Sequence, residues 1–310
     1  MVKTTIEEAI ARIEDWKGKE IKYEVVPGGI TNPNFKVFVD GKPYFLKIPG
    51  AGTDFIDRDN CHAANVIAAN SGAGPQVYYY FEDTGVEVFE WLEGYRQVIF
   101  GDVYDKHIFT EIVQKICSFH NLDNATLPLK QSGFDYGRDM IARASKGNFT
   151  PPWHKKMLWL LDSCEEALEN AGIEYKPCHK DFWTNNMMYN EETGDLKIID
   201  WEYAAMGDPF WDLAGFSTTN YLTDAMDTDM IKIYCGHYDE YAFAKLKLNK
   251  IASDISWSFW ALQQNINSDV NFDYMNWYGG KTARLQHFWN DPRVDMWMNL
   301  LNGVSPYYTE

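Results

Sequence analysis

One short stretch of the chain carries two carboxylates and an amide at a spacing that could do chemistry. It runs His179-Lys-Asp181-Phe-Trp-Thr-Asn-Asn186, continues through two short apolar runs, and closes on Lys197-Ile-Ile-Asp200. Residues 187–189 and 196–199 read as the strands of a hairpin turned by residues 190–194. Antiparallel pairing then brings Asn186, before the first strand, and Asp200, after the second, to the same end of the hairpin. Two hard oxygen side chains at one place suit Mg²⁺, which leaves its other positions to water and phosphate. Asp181 precedes Asn186 by five residues and is left to accept a proton from a hydroxyl. A positioning carboxylate, an Asn ligand and an Asp ligand are the parts that phosphoryl transfer needs. Asp or Asn alone is an ordinary turn or cap residue; the combination carries the reading.

The elements that must hold this stretch follow from periodicity. Residues 5–16 space their apolar positions as an amphipathic helix. Strands are expected over 21–27, 34–39, 43–48, 76–81 and 86–91, with one helix over 57–71 between the third and fourth. Beyond Glu93-Gly94 the pattern is helical, with helices expected over 107–122, 154–170, 212–220, 229–240, 248–264 and 278–289. The fold class is α+β: a small antiparallel-sheet lobe with one helix over 1–92, and a larger helical lobe over 93–310.

Composition excludes several functions. The 310 residues carry a net charge of −17 with 16% aromatic residues. No Lys/Arg cluster offers the footprint of a nucleic-acid binder, and an anionic membrane surface is disfavoured for the same reason. A small cationic molecule would be drawn to such a protein. The five cysteines form no CxxC pair, so neither a disulfide framework nor a zinc site is expected. Without a signal-peptide pattern or a run of about 18 apolar residues, a soluble cytoplasmic protein is expected.

Taken with Ile198-Ile-Asp200-Trp-Glu-Tyr203 and Gly207-Asp-Pro-Phe-Trp-Asp212, the 179–186 motif resembles the bacterial branch of the choline/ethanolamine kinases. These belong to the aminoglycoside-phosphotransferase-like group with a protein-kinase-like fold. The likeness spans residues 28–289. It implies that Asp181 is catalytic, that Asn186 and Asp200 hold Mg²⁺, and that Asp212 braces the catalytic loop through its backbone, with His179 a structural member of the motif. Glu202 could approach the metal, whereas Asp208-Pro209 reads as a helix N-cap followed by its first-turn proline.

The resemblance also assigns the nucleotide site. Gly28, Gly29, Thr31 and Asn32 would form the loop around the ATP phosphates, Lys47 would reach those phosphates, and Glu90 and Leu92 would lie in the hinge facing adenine. Where such kinases place a helix Glu to pair with the lysine, this chain has Cys61; Asp57 and Asp59 are the nearby alternatives. Trp257 and Trp260 share a helical face, and Tyr274 and Trp277 follow within a short loop. Spacing alone suits a hydrophobic core, but the resemblance makes these four the walls of a choline pocket, with Asp181 also touching the substrate. Residues 217–220 lack the acid that some choline kinases place there. The expected activity is transfer of phosphate from ATP to choline with Mg²⁺. Ethanolamine or another small amino alcohol is the alternative acceptor, and a chain that binds a cation or nucleotide without transfer is the alternative class.

Overall fold

The structure, a computed structural model, describes residues 4–27, 32–50, 53, 55–268 and 271–304. Its elements in chain order are α1 (Ile6–Ala11), β1 (Ile21–Val25), β2 (Asn34–Val39), β3 (Lys42–Lys47), α2 (Arg58–Asn70), β4 (Val77–Phe81), β5 (Val86–Glu90) and β6 (Arg96–Gln97). There follow α3 (Lys106–His120), α4 (Gly133–Ala144), α5 (His154–Asn170), β7 (Lys176–Cys178), β8 (Met187–Tyr189), β9 (Leu196–Ile198) and β10 (Ala205–Gly207). The chain ends with α6 (Pro209–Thr219), α7 (Asp224–Cys235), α8 (Glu240–Asn267), α9 (Tyr274–Phe288) and α10 (Arg293–Leu301). Among the described residues no helix is long and apolar enough to cross a membrane.

Two compact units form. The first comprises Met1–Val98, Asn185–Ala204 and Ser268–Phe272, and the second comprises Ile99–Thr184, Ala205–Asn267 and Asp273–Glu310. In the first, an antiparallel five-stranded sheet has the order β1-β2-β3-β5-β4. Alternation along the strands turns Val37, Val39, Leu46, Val86 and Val88 inward against Ile6, Ala9, Ile13 and Trp16. α1 starts in a capping box between Thr5 and Glu8. The helix α2 is capped by Asp57, whose side chain accepts from the Asn60 N–H.

The first unit runs on through Val98. Arg96 and Gln97 pair with β8 to make a small β6-β8-β9 sheet, so the chain beyond Gly94 stays with the hairpin. The hairpin belongs to the first unit through its backbone: the Ile198 N–H donates to the Ala73 carbonyl at 2.7 Å. Gly74 leaves room for that approach, since a Cβ there would lie 3.3 Å from the Ile198 oxygen.

In the second unit α8 is the axis. This 28-residue helix is buried almost without interruption from Ala242 to Gln264, and α4, α5, α6, α9 and α10 all pack on it. A helix surrounded on all sides shows no clean amphipathic stripe, which is why only its middle was legible in the sequence. α4 was not expected at all. Its capping box, Ser132 with Asp135, is present, but Gly133 and Gly137 lower local helix propensity. Both are there for contact. A Cβ on Gly137 would lie 2.3 Å from Ser256 Oγ, and one on Gly133 would lie 1.9 Å from the Trp211 ring. Gly133→Ala is therefore expected to lower stability by roughly 1–3 kcal/mol through overpacking, read as a lower denaturation midpoint with helix content otherwise retained.

Three further expectations are corrected. α7 begins at Asp224, capped by Thr223, and ends at the left-handed Gly236, rather than covering 229–240. α9 begins at Tyr274 behind the Asp273 cap, so Tyr274 and Trp277 stand on a helix and not in a loop. α10 and the β7–β10 pair are additional; each strand has three residues, too few to show a period.

Candidate active site

The loop that carries the candidate base Asp181 leaves β7, whose Cys178 pairs with Ala205 of β10. Asp212, fully buried in the first turn of α6, accepts the His179 N–H at 2.7 Å and the Lys180 N–H at 2.6 Å. His120 Nε2 also donates to Asp212 at 2.9 Å, which leaves Nδ1 to accept a hydrogen bond from the Tyr234 hydroxyl at 2.9 Å. The His179 ring turns back and its Nδ1 accepts the Asp181 N–H at 3.2 Å. Lys180 holds a left-handed backbone at φ 64°, a strain of order 1 kcal/mol or more that these clamps sustain. Its buried ammonium donates to the Gln131 carbonyl at 3.1 Å, and burial pulls its pKa down to about 8. The outcome is a fixed backbone with a half-buried Asp181 carboxylate. Cys178, His120 and Asp212 bring potential ligand atoms within 4.8 Å of one another. The Asp212 oxygens already receive the three donors just named, so the cluster is a hydrogen-bonded brace rather than a metal site.

Asp208 caps α6 by accepting the Phe210 N–H at 2.9 Å, with Pro209 at the first helical position. Burial raises the pKa of its carboxyl, partly offset by the Phe210 N–H and the Asn249 amide.

The aromatic residues expected around the acceptor come together within the same unit. Trp257 and Trp260 lie 5.5 Å apart, Trp260 is 5.8 Å from Tyr274, and Trp260 is 6.5 Å from Trp277. Two further rings join them: Tyr136 of α4, 5.5 Å from Trp257, and Trp183 of the loop after β7, 5.6 Å from Trp277. Trp183 sits two residues beyond Asp181, so the aromatic chain reaches the loop that carries the candidate base. Trp260 and Tyr274 are buried, whereas Trp277 and Trp183 are half-buried; the accessible faces belong to the latter two. A buried ion cluster, not expected from the sequence, adjoins them. Arg284 grips Asp254 at 2.8 and 2.5 Å, and Lys281 lies 3.6 Å from Asp254 and 5.1 Å above the Trp277 ring. The spacing of Trp277, Lys281 and Arg284 along one helix face was the available signal.

In the first unit, Lys47 at the end of β3 bonds Asp200 at 2.5 Å and Glu202 at 3.0 Å. Burial would lower its pKa, but Asp200 and Glu202 outweigh that and hold it above the ordinary lysine value. Glu202 also accepts from Asn32 at 2.8 Å and from Arg58, and Arg58 is steadied by Thr53 at 2.6 Å. Thus the lysine's partners come from the segment after β9, not from α2. Cys61 instead donates to the Glu202 carbonyl oxygen at 3.1 Å, its thiol pushed up by burial. Asp57 serves as the helix cap, and Asp59 accepts the Tyr80 hydroxyl at 2.5 Å.

The hairpin register, Met187 opposite Ile198, is extended by the Ile199 N–H donating to the Asn186 carbonyl at 2.9 Å. Asn186 and Asp200 therefore flank the same end, with Asp200 in a left-handed backbone at φ 64°. Gly28, Gly29 and Thr31 lie outside the described residues. The Asn32 amide bridges Glu202 and the Gly50 N–H, the latter at 2.9 Å. The Glu90 N–H donates within the sheet edge to Gln76 at 2.8 Å, and the Leu92 carbonyl faces the Tyr95 N–H at 3.4 Å.

Comparisons with known proteins agree with this architecture. Protein LicA of Haemophilus influenzae is 22% identical over 80% of this chain and 75% of its own. Human ethanolamine kinase 1 is 23% identical over 84% of this chain and 66% of its own. Among solved structures, a choline/ethanolamine kinase family protein from Mesorhizobium loti superposes with a TM-score of 0.82 at 23% identity, covering 95% of this chain and 97% of that one. Choline kinase LicA from Streptococcus pneumoniae gives 0.77 at 22% identity over 91% and 98%. A structure of LicA in complex with AMP gives 0.70 at 23% identity over 86% and 93%. The α+β, protein-kinase-like fold and the resemblance expected from the motifs are thus both found. The phosphotransferase enzyme family matches residues 22–246, most of the chain, and the protein belongs to it.

Proposed function

We propose that the protein transfers the γ-phosphoryl group of ATP to the hydroxyl of choline. The observation that carries this reading is the clamped catalytic loop, which presents the Asp181 carboxylate two residues from an indole in an aromatic chain. In the proposed reaction the acceptor oxygen bonds to the γ-phosphorus and its proton passes to Asp181. The bond from that phosphorus to the bridging oxygen breaks, and ADP leaves with the electron pair. Lys47 steadies the phosphates, and Glu202 and Arg58 hold that lysine in place. Asn186 and Asp200, both hard oxygen donors at one hairpin end, fit Mg²⁺. When bound, the ion neutralises charge on the migrating phosphoryl group. The similarity to LicA bound to AMP supports a nucleotide donor, and the cytoplasm is where we place the reaction.

Choline is favoured over ethanolamine by the acceptor residues. A quaternary ammonium offers no N–H donors and is attracted by ring quadrupoles, whereas ethanolamine would bring three N–H groups to walls with few acceptors. Measuring ADP release across choline, ethanolamine and an aminoglycoside tests this directly, with the highest kcat/KM expected for choline. A desolvated cation–π contact is worth about 2 kcal/mol, so Trp277→Ala should raise the choline KM roughly 30-fold with little change for ATP. Trp260→Ala, at a buried ring, should chiefly lower the melting temperature. Preference for ethanolamine in the parent protein, or equal KM changes for both substrates in Trp277→Ala, would overturn the choline assignment.

A further inference from the structure

The acceptor residues already hold a cation. Lys281 and Trp277 are separated by four positions on α9, and the Lys281 Nζ lies 5.1 Å over the Trp277 ring, within the range of a cation–π contact. Its carboxylate neighbour is largely spoken for. Asp254 is fully buried on α8 and gives both oxygens to Arg284, at 2.8 and 2.5 Å, while Lys281 stands off at 3.6 Å. Asp254 is thus shared by two cations, Arg284 and Lys281, and its single negative charge cannot balance both. The other anion acting on it is Asp181, the candidate base. A buried ammonium therefore rests on an aromatic face that the proposed choline pocket would use.

We propose that Lys281 is a specificity-determining residue of the acceptor site: a cationic head entering beside Trp277 meets the Lys281 charge, so binding of a cationic acceptor is linked to loss of the Lys281 proton. The inference rests on the amino-alcohol reading given above and adds a device that selects among acceptors by charge. Burial weakens this ammonium, with Arg284 opposing its charge and Asp254 and Asp181 supporting it, and the pKa falls to about 8. At neutral pH the site is held by its own cation, and above that value it opens to a foreign one. A neutral alcohol of similar size would bind without this linkage.

Choline is a suitable probe because its charge does not change with pH. Calorimetric titration of the intact protein with choline should give an affinity about tenfold tighter at pH 9 than at pH 7, since only a minor fraction of the site is competent at the lower value. Repeating the pH 7 titration in buffers of different ionisation enthalpy should reveal release of close to one proton per choline bound. Lys281→Met should bind choline at pH 7 about as tightly as the parent does at pH 9, with the proton release abolished. Lys281→Arg, which keeps its charge throughout, should bind weakly at both pH values. Lys180 also titrates near this range; a pH dependence and proton release that survive in Lys281→Met would assign the linkage to Lys180 and overturn the proposal. Equal parent affinity at both pH values without proton release would overturn it too, even if Lys281→Met failed to fold. Choline turnover without the linkage would remove this inference alone. Absence of both choline binding and turnover would remove the choline reading with it.

Discussion

Asp181→Ala is expected to abolish measurable transfer while leaving the protein folded. A general base contributes on the order of 10²–10⁴-fold to the rate, and no other carboxylate on the clamped loop stands in its place. The loop should survive the change because its clamps engage backbone: Asp212 holds the His179 and Lys180 N–H groups, and the His179 ring holds the Asp181 N–H. None of these contacts uses the Asp181 side chain. The melting temperature and the KM for ATP should therefore stay near parent values while kcat collapses. A folded Asp181→Ala protein that turns over at the parent rate would eliminate Asp181 as the base, and a large fall in melting temperature would show that its side chain supports the loop.

The second large effect is expected on stability. Glu202 is buried and accepts from Lys47 at 3.0 Å, from Asn32 at 2.8 Å and from Arg58. Burial alone would raise its pKa, but Lys47 and Arg58 outweigh that and hold the carboxyl well below its ordinary range. Glu202→Gln leaves two buried cations short of one negative charge. Breaking such a buried pair costs about 3–5 kcal/mol. The pH dependence has a definite sign. A carboxyl with a depressed folded pKa stabilises fully above its unfolded value, near ~4.3, and loses that contribution as pH falls through the folded value. The stability gap between parent and Glu202→Gln should thus be constant from neutral pH down to about 5 and shrink in more acid solution. Urea denaturation across that range measures it. Equal midpoints at neutral pH would show that Asp200 alone satisfies Lys47.

Much of the architecture was legible because it depends on neighbours in sequence. Alternation marked β1 to β5, Asp57 marked the start of α2, and the Asn190–Gly194 turn marked the hairpin that aligns Asn186 with Asp200. Each is a matter of period, cap or turn, decided within a few residues. The motif from His179 to Asn186 was legible for the same reason.

What tertiary structure decided lies where distant residues meet. The glycines of α4 weaken a helix locally, yet they are required by Trp211 and Ser256, far along the chain. The carboxylate partners of Lys47 stand more than 150 positions away on the segment after β9, so no reading of α2 around Cys61 could supply them. Helical spacing sets Lys281 one turn from Trp277 but does not say what surrounds it. Only packing of α9 on α8 places it beside Asp254, and only the tertiary fold puts it under the field of Asp181. Periodicity reports which face of an element is apolar; it does not report which element covers that face. Burial then decides whether a charge is solvated, paired or poised to change.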